Sequence, residues 1–105
     1  MYVLENLGNQ SGREALSPTG STAFTPSLIH PTSGIYKGTS AIAVMTGVES
    51  YAIRFRLDGT APTAANGMKL NANNYITIVG AENVKNFHCI DTSAGASRVE
   101  CMPYF

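Results

Sequence analysis

The sequence predicts an all-β fold, a single small β-sandwich or barrel-like domain with an extended N-terminal arm, and three observations carry that prediction. Apolar and polar residues alternate with period two over residues 51–57, short apolar runs recur between Gly, Asp and Asn turn signals, and no window shows a 3.6-residue apolar period. Runs of this kind, each too short to bury itself, find cover when two sheets pack face to face. A chain of 105 residues supplies one core.

Residues 1–33 are read as the arm. Gly, Ser, Thr, Asn and Pro dominate from 6 to 33, as in a disordered linker, and Pro26 and Pro31 oppose a helix because each lacks a backbone donor and biases its predecessor toward extended geometry. The apolar exceptions are Leu16, Phe24, Leu28 and Ile29. The stretch from Phe24 to Ile29 must dock on something, either its own domain or a neighbour. The candidate partner-interface residues are Phe24, Leu28 and Ile29, on an arm expected to be mobile in the isolated protein and ordered against neighbouring subunits, and Tyr36 just beyond it.

Residues 34–105 are read as the sandwich. The run 41–45, between Gly38 and Gly47, suits a buried strand. Tyr51, Ile53, Phe55 and Leu57 then share one face while Ala52, Arg54 and Arg56 share the other, and Asp58-Gly59 ends the strand with turn chemistry. Residues 75–79 are β-branched and aromatic, closed by Gly80. Residues 87–91 and 97–102 flank a loop at 92–96 that contains Gly95, which reads as a closing β-hairpin, and Tyr104-Phe105 should be tied into a sheet. The expectation is six or more strands, no helix beyond two turns, and Ile53, Phe55, Ile76, Ile78 and Ile90 mostly in the core.

Charge is sparse and balanced: seven basic and seven acidic residues, scattered, give no footprint for nucleic acid or an anionic membrane. No run reaches the roughly 18 apolar residues of a membrane span, and the start lacks the regions of a signal peptide, so synthesis and retention in a cytosol are expected. On that expectation the glycosylation triplet Asn9-Gln10-Ser11 is a chance match.

Chemistry finds little to work with. Cys89 and Cys101 nearly mirror each other across Gly95, so a cross-strand pair is conceivable; a cytosolic setting favours reduced, buried thiols acting as small hydrophobes. A zinc site drawing on His88, Cys89, Cys101 and His30 would need the arm to fold back, and adjacent strand residues point to opposite faces. His30 and His88 stand in no nucleophile–base motif, and the carboxylates never pair closely in sequence. Asp58-Gly59-Thr60-Ala61-Pro62-Thr63 lacks the repeated ligands of a calcium loop and reads as a tight turn with a Pro-stiffened continuation. No catalytic, cofactor-binding or metal residue is assigned, and an enzyme is the least supported reading.

From Tyr51 the string Tyr-Ala-Ile-Arg-Phe-Arg-Leu-Asp-Gly-Thr-Ala-Pro-Thr-Ala, followed by Gly67-Met68 before Leu70, resembles a family of small tailed-bacteriophage virion proteins with an "R-x-R-x-D-G-T-x-P-T-A" strand and turn. The segment from Gly80 through Asn83, Val84, Phe87 and Ile90, and the terminal pair Tyr104-Phe105, are similar to that family too. The likeness covers about the second half of the chain and leaves the arm unmatched. It implies a virion structural protein assembled in the host cytoplasm, with other virion proteins as partners (the major capsid protein or tail proteins) and a homo-oligomeric state. A capsid decoration or cement protein is the leading expectation, and a tail, fibre or baseplate accessory the second. A carbohydrate-binding module for host adsorption is a third, weakened by the absence of Trp.

Overall fold

A computed structural model describes residues 8–92 and 97–105. Its strands are β1 (Glu14–Leu16), β2 (Ala43–Val48), β3 (Ile53–Arg56), β4 (Met68–Leu70), β5 (Tyr75–Val79), β6 (His88–Asp91) and β7 (Val99–Tyr104), with two short helices, α1 (Pro26–Ile29) and α2 (Ala81–Asn86). They form two antiparallel sheets, one of four strands in the order β1-β7-β2-β5 and one of three in the order β4-β3-β6. The fold is the predicted small all-β, sandwich-like domain. No helix among the described residues is long and apolar enough to cross a membrane.

The alternation that announced β3 is realised in space: Ile53 and Phe55 are buried while Arg54 and Arg56 are half-exposed. Across from them Val44 and Val48 of β2, Ile78 of β5, and Val99 and Cys101 of β7 supply the other half of the core. Ile78 joins that core as expected and Ile76, on the same face of edge strand β5, is half-buried; Ile90 is also only half-buried, because alternation along β6 puts it on the outer face opposite Arg54 while Cys89 and Asp91 face inward. Gly80, at φ +100, turns the chain out of β5 into α2, whose Val84 is 2% exposed. Glu82 in the first turn of α2 and Lys85 in the last complement its dipole.

The expected closing hairpin is not formed. The segments at 88–91 and 99–104 lie in different sheets, β6 against β3 and β7 between β1 and β2. Their link passes from one layer to the other, and most of the predicted loop, residues 93–96, lies outside the described residues. Only β3 and β4, among consecutive strands, are neighbours in one sheet.

Of the expected arm, residues 1–7 lie outside the described residues, and residues 8–33 pack against the sandwich, with Leu16 and Phe24 in its core. Asn9 and Phe105 exchange backbone hydrogen bonds at 3.0 and 2.9 Å, and β1 pairs with β7. The chain then crosses to the second sheet, where Thr22 and Cys89 exchange bonds at 2.8 and 2.9 Å and the Asp91 N–H donates to the Pro18 carbonyl at 2.8 Å. Residues 14–22 thus lace the β1 edge of one sheet to the β6 edge of the other. A polar composition permits this because the backbone supplies the bonds, while Leu16, Pro18 and Phe24 supply the buried anchors.

Candidate functional site

The four residues predicted to meet a partner have different fates. Phe24 is 2% exposed, its ring stacked on Phe87, so its apolar surface is consumed within the domain. Leu28, Ile29 and Tyr36 remain half-buried on the stretch from α1 into the following loop. Tyr36 stacks on Phe105 with centroids 4.8 Å apart, anchoring that loop to the end of β7. Beside Tyr36, Ile35 is 90% exposed, an apolar side chain that the sequence reading passed over.

Between α1 and α2 the same stretch walls a cleft of about 560 Å³. Phe24, Ile29, Ala41 and Val84 give it apolar walls; His30, Ser40, Glu82 and Lys85 bring polar groups to it. The His30 ring nitrogen Nδ1 lies 3.0 Å from Ser40 Oγ, which fixes one side of the opening. A cleft with apolar walls and a few polar groups of both signs suits an apolar side chain or chain segment carrying one or two polar atoms. Phe24, Ile29 and Val84 were visible in the sequence as isolated apolar residues. Their convergence was not, because they come from segments far apart in the chain.

The most distinctive sequence string turns out to be occupied with itself. Arg54 donates from Nη1 to the Gly67 carbonyl at 2.9 Å and from Nε to the Ala64 carbonyl at 3.1 Å, clamping the far side of the loop to β3. Arg56 forms a two-pronged pair with Asp58, and Asp58 Oδ1 accepts the Thr60 N–H at 3.1 Å. Thr63 Oγ1 accepts from Ala65 and Asn66, and Pro62 is buried. At Gly67, with φ +130, a Cβ would sit 3.1 Å from the Phe55 carbonyl oxygen, so only glycine fits. The Asp58 carboxyl is held down at about 2, first by its hydrogen bonds from Arg56 and then by the Thr60 N–H. Asp58 and Thr63 thus bond within the loop or to the end of β3, and Thr60 joins through its backbone N–H, as expected of a turn that shapes a surface.

Cys89 and Cys101 are free and fully buried in opposite sheets. Burial pushes the Cys89 thiol up to about 12, with the nearby Asp91 charge adding to the effect, and raises Cys101 as well. Neither is poised as a nucleophile. Among the described residues no group of three or more His, Cys, Asp or Glu side chains could hold a metal ion.

Four further charged residues, Arg13, Glu49, Arg98 and Glu100, pair at the surface. Glu100 of β7 accepts from both Arg13 and Arg98, which lower its carboxyl pKa, Arg13 first, and Arg98 also reaches Glu49 at 2.7 Å. Such exposed pairs add little stability. No protein-family model, no curated protein and no solved structure matches this chain.

Proposed function

We propose that the protein is a non-enzymatic structural component of a tailed-phage particle, a decoration or cement protein that binds the outer shell. The resemblance of residues 51–70 supplies the class. The observation that carries the reading is the cleft between α1 and α2, together with the 90% exposed Ile35 and the half-buried Leu28, Ile29 and Tyr36, in a chain with only 13% charged residues. Exposed apolar side chains and a cleft offer a shell protein both apolar contact and a slot for a side chain.

Two measurements test this reading. Mass spectrometry of purified particles of the phage that encodes the chain should find the protein, and particle reconstruction should place it on the shell; absence from the particles overturns the reading, and a position in the tail replaces the shell with the tail. Burying Ile35 at an interface is worth about 1.5 to 3 kcal/mol, so Ile35→Asp should weaken binding to shells stripped of the protein by about tenfold or more. Equal binding by the variant removes Ile35 from the interface.

A further inference from the structure

The two sheets have four edges, and three are managed. The β1 edge is three residues long and flanked by the charges of Arg13 and Glu14; β4 is equally short and carries the exposed Lys69; the β6 edge is covered by Thr22 and Pro18. These are ordinary defences against pairing with another chain. Among the described residues the β5 edge has none of them. It runs five residues, Tyr75–Val79, and no charged residue occurs from 71 to 81.

Its free hydrogen-bonding groups can be identified. The Val48 N–H donates to the Asn74 carbonyl and the Gly80 N–H to the Ile42 carbonyl, so the even-numbered residues of this stretch aim their backbone groups at β2. Tyr75, Thr77 and Val79 therefore aim theirs outward. Among the described residues the backbone groups of Tyr75 and Thr77 meet no partner there, and the Val79 carbonyl accepts only the Asn83 amide at 2.9 Å, which leaves its second lone pair.

We infer that β5 pairs antiparallel with β5 of a second copy about a two-fold axis at Thr77, joining two four-stranded sheets into one of eight. The register completes itself. Thr77 exchanges both bonds with Thr77 of the second copy, and Tyr75 and Val79 exchange bonds with Val79 and Tyr75 of that copy. All outward groups of the strand are then used. The side chains agree with the backbone: Tyr75 and Val79, 59% and 52% exposed, become opposite members of an aromatic–β-branched cross-strand pair. Half-buried Ile76 meets Ile78 of the second copy on the inner face. The contact is isologous and closes at two chains. This names the surface of the homo-oligomer expected from sequence and does not rest on the virion reading, since it concerns the free protein in solution.

Sedimentation analysis of the full chain should show a dimer, and Thr77→Lys, which sets two ammonium groups face to face at the axis, should weaken it by about tenfold or more. Thr77→Val, which keeps the β-branch, should leave the dimer in place. Register is read by Thr77→Cys: opposite residues of a hydrogen-bonded pair have Cα atoms about 5.5 Å apart, within disulfide reach, so mild oxidation should yield a covalent dimer. The buried native thiols do not compete. A wild-type monomer, a trimer or larger ring, or a natively folded Thr77→Lys variant that dimerises as before overturns the proposal. Should Thr77→Lys fail to fold, the Thr77→Cys crosslink decides: its formation supports the pairing and its absence overturns it.

Discussion

The ring of Phe24 lies flat on the ring of Phe87, with centroids 4.3 Å apart and planes inclined by 7°. Phe87 also meets Phe55, at 5.9 Å. Three aromatic rings, from the N-terminal segment, the start of β6 and the middle of β3, thus form one stack through the core. Phe24→Ala should cost about 3 to 5 kcal/mol of stability in urea denaturation. Deleting residues 1–33 should leave an unfolded chain, and a cooperatively folded truncated sandwich would show that the segment is dispensable after all.

Arg54 holds the loop between β3 and β4 by two carbonyl contacts. Replacing it with Met keeps the apolar stem and removes both bonds; the expected loss is about 1 kcal/mol, discounted because the side chain is partly exposed. Amide exchange localises the effect: residues 58–67 should lose protection while β2 and β7 keep theirs.

Asp58 provides the acid-range test. Its folded pKa of about 2 lies below the ordinary 3.8, so its contribution is present above the ordinary value and fades as pH falls toward 2. Asp58→Asn keeps an acceptor for the Thr60 N–H but removes the charge. The variant's Tm should trail the parent's at neutral pH and converge with it between about pH 4 and pH 2. Added salt should narrow the gap, because the Arg56 pair is exposed.

Free, buried thiols make a redox prediction. Reductant should leave the Tm unchanged, and a thiol reagent should label neither Cys89 nor Cys101 until denaturant is added. A Tm that drops by many degrees on reduction would reveal a disulfide.

What the sequence revealed was what neighbours in the chain decide. The alternation from Ile53 to Arg56 and the β-branched run Tyr75–Val79 are local patterns, and both became strands where expected. Partner choice is not local. Residues 87–91 and 97–102 looked like two arms of one hairpin because both suit strands and a Gly lies between them. Yet β7 finds β2 and β1, because Val99 and Cys101 complete one wall of the core while Cys89 completes the other. Phe24 shows the same limit: the sequence required it to dock on its own domain or a neighbour, and the slot beside Phe87 that takes it is built from residues far along the chain. The cleft and the exposed Ile35 were hidden in the same way, by depending on tertiary placement.

The central position of β7 has a consequence for how the molecule is made. β1 and β2 flank this strand and do not touch each other in the ladder, so no ladder bond holds them together until β7, the last of the seven in chain order, lies between them. The contacts of β1 with β7 join strands far apart in sequence, and high contact order slows that closure. Until β7 is in place, β1 and β2 keep open edges and an uncovered apolar face, the features that make a folding intermediate prone to associate with its like.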